Sequence, residues 1–503
     1  MRIKRLLIAN RGEIALRIIR TCRQMGIASL TVYSEADSNS RHVREADDSR
    51  LIGPAEAAQS YLSVEAILRA AQEMGADAIH PGYGFLSERA EFAESVGKAG
   101  LIYVGPPPAA TRALGSKIEA KMLAETAGVP LVPGIFQLGA SDSSLKDAAL
   151  KMGFPVLLKA SAGGGGRGMR VVQAESEFDR ELSLAREEAI KAFGEGSMMV
   201  EKLIPSPRHI EVQVLADSHG QTACLFDREC SLQRRHQKVI EEAPSPVMTD
   251  GLWSRMKEAC LRLVKESGYV GAGTVEFITD QAAEEFYFLE VNARLQVEHP
   301  VTEMITGLDL VRQQILIAEG ERLDLSPLLM SGDRRAIQGH AIEARIIAED
   351  PSKGFLPSIG RILSWAEPQG PGIRFDGGFQ AGDDISQHYD SLIGKLITHG
   401  SNREEAANRL ISGLEDNHVL GVKTNIGFLH RLASSASFGE AAFHTKWIDQ
   451  EGHELLADPD DLPGELAALA VGQARITAPA TQEKRKSSSP SWDQTDGFRL
   501  FRK

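Results

Sequence analysis

Cysteine is scarce in this 503-residue chain: Cys22, Cys224, Cys230 and Cys260 are all there is, irregularly spaced. They cannot form a disulfide framework over such a length, and no CxxC pair marks a structural zinc site. Aromatic residues make up only 6%. No apolar run approaches the roughly 20 residues that cross a bilayer. The basic start, Met1 to Arg5, leads into an apolar stretch that breaks at Asn10-Arg11-Gly12-Glu13, too early for a secretory signal. A reducing interior, cytoplasm or organelle matrix, is therefore expected rather than secretion. A basic excess is missing too: 56 Lys and Arg against 69 Asp and Glu leave a net −13. An acidic chain gains little from counterion release, so neither nucleic acid nor a membrane is an expected partner. Net charge says nothing, however, about a single cationic cleft.

What the chain does have is alternation and clustered glycine. Leu6–Ala9 reads as a buried strand, Glu13–Met25 as a helix with apolar Ile14, Ile18, Ile19, Cys22 and Met25, and Ala28–Tyr33 as a second strand. Strand signals return at Ala78–His80 and Leu101–Val104, which predicts a parallel α/β domain over residues 1–115. Asn10-Arg11-Gly12-Glu13 holds one glycine, so the dinucleotide fingerprint is absent. A second region, 116–334, opens with a helix Lys117–Ala127, then mixes strands (Val156–Ala160, Met169–Val172, Met198–Leu203) with a helix Glu177–Phe193. A third, 335–447, starts at a strand His340–Ile347, with hairpin signals at Asp376-Gly377-Gly378 and Gly400-Ser401-Asn402 and helices Arg403–Leu414 and Asn425–Ala433. Residues 448–503 contain a polar linker, Ala478–Ser491, and then WDQTDGFRLF.

The 47 glycines, about 9% against a usual ~7%, are concentrated where chemistry is expected. Between Lys159 and Met169, Gly163, Gly164, Gly165, Gly166 and Gly168 leave backbone N–H groups free to approach an anion. No Lys-Ser/Thr follows and the next segment reads as a strand, which excludes a Walker loop. A strand-loop-strand with Lys159 at its base predicts a flap over nucleotide phosphates.

In Glu290–Glu298 every even position is polar and every odd one apolar. An extended backbone would set Glu290, Asn292, Arg294, Gln296 and Glu298 on one face. A solvated outer face is the ordinary explanation of such alternation, but it favours Lys, Thr and Ser over this mixture of acid, amide and guanidinium. A hairpin centred near residue 283 would put Glu276 opposite Glu290. Two facing carboxylates need a bridging cation or a shared proton; with Asn292 beside them, hard oxygen donors suit Mg²⁺ or Mn²⁺. Arg208–Val214 also alternates and projects His209, Glu211 and Gln213 together. Gln233–Lys238 is a dense cationic cluster that gains an anion-binding role beside such a site.

Together these segments resemble the biotin carboxylase family of ATP-grasp ligases. The motifs are IANRGEIA (8–15), HPGYGFLSE (80–88), GSK (115–117), LKASAGGGGRGMR (158–170), PRHIEVQV (207–214), RECSLQRRHQKVIEEAP (228–244) and EVNARLQVEHPVTE (290–303). The resemblance covers residues 1–450 and is most similar to the biotin carboxylase part of an acyl-CoA carboxylase α subunit. It implies an α/β fold: a Rossmann-like parallel α/β domain, an ATP-grasp domain with a mobile glycine-rich lid at about 131–203, and a C-terminal α+β domain. It implies that Lys117, Lys159, the backbone of Gly163–Gly168, His209, Gln233 and His236 hold ATP phosphates. Glu201, Lys202 and Leu203 match the segment that reads adenine. Glu276, Glu290 and Asn292 would bind Mg²⁺ or Mn²⁺, expected as a pair of ions. Lys238, Arg294, Gln296 and Val297 backbone would hold bicarbonate, Glu298 would be its general base, and Arg345 would stabilise the biotin enolate.

The reaction so implied runs through carboxyphosphate: bicarbonate, deprotonated by Glu298, attacks the γ-phosphate, and the resulting CO₂ is captured at N1′ of biotin. The partners implied are a biotin carboxyl carrier domain and a carboxyltransferase subunit, with a homodimer as a further expectation. No Met-Lys-Met occurs, so the biotin is expected on a separate or downstream carrier, and WDQTDGFRLF is read as the start of a truncated following domain. The alternatives are the corresponding part of a pyruvate- or urea-carboxylase type enzyme, another bicarbonate-using ATP-grasp ligase, or an ATP-binding scaffold without activity.

Overall fold

The computed structural model describes residues 2–136, 139–161, 168–280 and 284–456. Gly163, Gly164, Gly165 and Gly166, the hairpin tip at 281–283, and the expected linker and following domain from 457 onward lie outside the described residues.

The chain opens as a five-stranded parallel sheet in the order Asp48–Gly53, Ala28–Ser34, Arg5–Ile8, Ala78–His80, Ile102–Tyr103. Its first helix, Gly12–Met25, buries Ile14, Ile18, Ile19 and Cys22 and ends on Gly26 at φ 67°, a left-handed cap that suits glycine. Asp48–Gly53 carries both its charges, Asp48 and Arg50, in its first half and shows no strand signal; it forms the sheet edge. Loops from this sheet converge at Asn10, whose amide donates to the Pro81 and Tyr83 carbonyls, both at 2.7 Å. Gly82 makes that approach feasible, since a Cβ there would lie 2.8 Å from the Asn10 amide nitrogen.

An eight-stranded antiparallel sheet is the main platform. Its order is Glu285–Asn292, Gly271–Asp280, Arg208–Ala216, Thr222–Arg234, Gln237–Ala243, His340–Ile347, Leu392–Gly400, Ile373–Gly377. Strand pairing runs unbroken from the second region into the third, because Gln237–Ala243 pairs with His340–Ile347. A separate four-stranded sheet, ordered Gly134–Ile135, Met198–Lys202, Val156–Ala160, Met169–Val172, packs under helices Asp142–Met152 and Phe178–Phe193.

Two expected hairpins are replaced by other structure. Asp376 and Gly377 lie inside the strand Ile373–Gly377, whose partner, Leu392–Gly400, begins only after a long excursion. Gly400-Ser401-Asn402 joins a strand to a helix: the Asn402 side chain accepts from Glu405 N–H and caps Arg403–Glu415. Asn and Gly serve turns and helix caps alike, so local composition could not separate the two.

Candidate active site

A cavity of about 830 Å³ lies over the main sheet, walled by that sheet, the smaller sheet and loops of the parallel domain. At one end Lys117 begins the helix Lys117–Thr126, and Lys159 reaches in from the smaller sheet. Lys159 stands 2.5 Å from the buried Glu201 carboxylate, which also pairs with Lys121. Burial opposes ionisation of Glu201, but the two ammonium groups override it and hold the carboxyl down to about 2. Lys117 is lowered, chiefly by burial, with Glu290 partly restoring its charge and Lys159 opposing it. Cationic groups thus cluster at this end, as a polyphosphate requires.

The Lys202 ammonium turns away, donating to the Met152 and Gly153 carbonyls at 3.2 and 2.8 Å, while Lys202 and Leu203 line the wall. Gly168 is at φ 71° and off the cavity wall; its N–H donates to Glu188 at 3.3 Å.

Across the floor the expected facing of Glu276 and Glu290 is present. Glu276 accepts from Lys238 at 3.0 Å, Asn292 at 2.8 Å and Gln296 at 3.1 Å, and lies 3.0 Å from His209. Burial opposes its charge, yet Lys238 and His209 keep it well below the usual carboxylate range. Glu290 is raised instead, by burial and by Glu276, with Lys117 only partly opposing. Gln233 hydrogen-bonds His209 Nδ1 at 2.7 Å. The Gln233–Lys238 cluster splits at a two-residue turn in which Arg235 and His236 both take positive φ, 47° and 66°. That turn sends Gln233, His236 and Lys238 to the cavity and Arg234 to the ring of Phe355, 3.8 Å away.

The alternating stretch does not continue as a strand. Pairing ends at Asn292, and Glu298 has φ −82° and ψ 9° as it starts the helix His299–Thr306. The groups converge nonetheless, because the bend turns them back over the sheet. Arg294 donates to Asn292 at 2.9 Å and to Gln296 at 2.7 Å, and is held 3.1 Å from Glu88 of the parallel domain. Glu298 is fully buried behind the cavity wall, between Lys238 at 2.5 Å and Arg345 at 3.0 Å. Burial opposes its ionisation, but Lys238, Arg345 and Arg228 keep it far below the ordinary range. Arg345 also binds Glu241 at 2.6 Å; burial, relieved in part by Arg345 and reinforced by Glu298, lifts Glu241 to about 7.

Family models match three consecutive segments: the biotin carboxylase N-terminal domain over residues 2–111, the carbamoyl-phosphate synthase L chain ATP-binding domain over 116–326, and the biotin carboxylase C-terminal domain over 343–450. The biotin carboxylase of Nostoc sp. is 46% identical over 450 residues, covering 90% of this chain and 99% of the relative. The chain belongs to the biotin carboxylase family. A methylcrotonoyl-CoA carboxylase α subunit of Rattus norvegicus is 49% identical over 500 residues, 99% of this chain and 68% of the rat protein. The biotin carboxylase of Campylobacter jejuni, solved as a β,γ-ATP complex, superposes with a TM-score of 0.85 at 42% identity, covering 89% of this chain and 99% of that one. The biotin carboxylase domain dimer of Hydrogenobacter thermophilus 2-oxoglutarate carboxylase, with MgADP, ADP and bicarbonate, also gives 0.85, at 44% identity, covering 92% and 100%. Biotin carboxylases are ATP-dependent ligases, and this chain holds that enzyme's N-terminal, ATP-binding and C-terminal segments in order.

Several residues of this biotin carboxylase site gave no separate sequence signal. Arg228 is fully buried and binds Glu211 at 2.5 Å, Gln213 at 2.8 Å, Thr302 at 2.9 Å and Thr274 at 3.0 Å. Lys121 and Glu241 likewise carry no separate signal in the sequence. Each acts through partners distant in sequence, so spacing could not reveal them. The clusters His209–Glu211–Glu276 and Glu211–Cys230–Glu298 bring acidic groups together, and the Lys238 ammonium already bridges Glu211, Glu276 and Glu298. Among the described residues no helix is long and apolar enough to cross a membrane.

Proposed function

We propose that this cavity carboxylates biotin at N1′ with ATP and bicarbonate through carboxyphosphate, as the first half-reaction of an acyl-CoA carboxylase. The observation that carries the reading is Glu298 held ionised between Lys238 and Arg345, at the far side of the Glu276–Glu290 floor from Lys117 and Lys159. In this proposal Lys117, Lys159, His209, Gln233 and His236, with the glycine flap, hold the ATP phosphates, and the wall formed by Glu201, Lys202 and Leu203 takes the adenine. The division at 115, 334 and 447, with a lid over about 131–203, belongs to the same proposal.

Bicarbonate binds against Lys238, Arg294, Gln296 and the Val297 backbone, displacing Lys238 or Arg345 from Glu298. Glu298 then takes the bicarbonate proton, and the freed oxygen attacks the γ-phosphate as its bond to ADP breaks. The carboxyphosphate splits into CO₂ and phosphate, and the phosphate takes the N1′ proton as N1′ attacks CO₂. Arg345, tied to Glu241, offsets the charge that develops on the biotin ureido oxygen. Metal ions fit Glu276, Glu290 and Asn292: the donors are hard oxygens, and Glu290 lacks the neutralisation that Glu276 receives. Bound there, Mg²⁺ or Mn²⁺ would screen the phosphate charge.

The name of the rat relative supports an acyl-CoA carboxylase setting, with a biotin carrier and a carboxyltransferase as partners. The Hydrogenobacter domain dimer supports a homodimer. Four free, buried thiols fit a reducing compartment. Free biotin should stimulate bicarbonate-dependent ADP release by the purified chain. A rate indifferent to saturating biotin, with ATP still bound, would remove biotin as the acceptor and leave another bicarbonate-using ligase.

A further inference from the structure

Behind the proposed bicarbonate site lies a lysine that no motif singled out. Lys395, in the strand Leu392–Gly400, faces Arg345 across one strand pairing and Asp376 across the other, and is wholly buried. Its ammonium donates to the Val297 carbonyl at 2.8 Å and stands 3.3 Å from the Glu13 carboxylate. Glu13 comes from the first helix of the parallel domain. Gly378 admits that helix, since a Cβ there would lie 2.7 Å from Glu13 N.

The surrounding carboxylates are unequally compensated. Glu343, on the neighbouring strand, is buried with neither carboxylate oxygen hydrogen-bonded. Asp376 is already engaged by Arg374 at 2.6 Å and Arg20 at 2.9 Å. A buried ammonium serving mainly as ballast would be expected to bind these carboxylates closely. Lys395 instead makes its short bond to a neutral carbonyl.

That carbonyl has a particular place. The C=O and N–H of a trans peptide point in opposite directions across one plane, so holding one aims the other. The Gln296 carbonyl accepts from His299 Nδ1 at 2.7 Å, which sends Val297 N–H the other way. Lys395 clamps the next carbonyl, which fixes the plane leading into Glu298. Two successive peptides are thus held from behind by side chains of a helix and a strand.

We propose that Lys395 is a positioning residue for bicarbonate, setting the Gln296–Glu298 backbone through the Val297 carbonyl and tying it to the parallel domain through Glu13. The proposal rests on the reading that Val297 and Glu298 meet bicarbonate. The test is steady-state ADP release by the full chain with free biotin, varying bicarbonate and ATP separately. Lys395→Met should raise KM for bicarbonate by about tenfold or more, as expected when a binding backbone is displaced, and leave KM for ATP within about twofold. It should also lower Tm, because Glu13 loses its cation. Lys395→Met/Glu13→Gln should recover Tm while KM for bicarbonate stays high. A purely structural lysine predicts the reverse, with KM returning alongside Tm, and that result overturns the proposal. So does an unchanged bicarbonate KM in Lys395→Met when Arg294→Ala raises it. If neither variant moves it, the bicarbonate reading itself falls, and this proposal with it.

Discussion

Replacing Glu298 by Gln separates chemistry from structure at this site. Glu211, Glu241, Glu276 and Glu298 offer up to four negative charges to three permanent cations, Arg228, Lys238 and Arg345. Without the Glu298 charge, Lys238 keeps Glu211 at 2.6 Å and Glu276 at 3.0 Å, and Arg345 keeps Glu241. No cation is stranded, so Glu298→Gln should fold and melt close to the unsubstituted chain. Glu298 is also off the cavity wall, so ATP affinity should change by less than about twofold, a few tenths of a kcal/mol. What disappears is the proton acceptor. A positioned general base contributes roughly 10²–10⁴-fold, equivalent to about 3–5 kcal/mol of barrier. ADP release at saturating bicarbonate and biotin, followed by a coupled assay, should fall by that factor. Removing the Glu298 charge should also move the Glu241 titration down from about 7, because Glu298 is one of the groups raising it. A variant that keeps more than about a tenth of the original rate, with unaltered bicarbonate dependence, refutes Glu298 as the base.

Two further outcomes test other parts of the molecule. Glu290→Gln should raise the Mg²⁺ concentration for half-maximal rate by at least about tenfold, the loss typical of even an outer-sphere partner; an unchanged metal dependence places the ions elsewhere. Glu349 is raised to about 7 by burial, with Arg234 only partly opposing. Its folded value lies above 4.5, the ordinary one, so its contribution to stability is fully present below 4.5 and is lost as pH rises to about 7. Thermal melts should therefore show Glu349→Gln gaining on the parent chain between about pH 5 and about pH 8, and a gap that narrows over that range contradicts the assignment.

Local pattern was sufficient for much of the fold and for naming many of the residues that line the cavity. Period-2 alternation located Arg208–Ala216, and hairpin symmetry placed Glu276 opposite Glu290, because strand geometry depends only on neighbours and register. Helical spacing of apolar residues over Glu13–Met25 located the helix Gly12–Met25. Glycine density beside Lys159 predicts a phosphate flap, and Gly163 to Gly166 lie outside the described residues.

Tertiary structure decided the rest, because charge compensation in a buried site is a property of space rather than spacing. The strand ending at Asn292 and the turn into the helix at His299 are what hide Glu298 between Lys238 and Arg345. Arg228, Lys121, Glu241 and Lys395 acquire their partners only when segments distant in the chain come together. The sequence alone therefore determined which chemical groups this protein carries and the family it resembles. Only the folded molecule decided which of those groups neutralise one another, since a buried charge is set by whatever stands within a few ångströms of it.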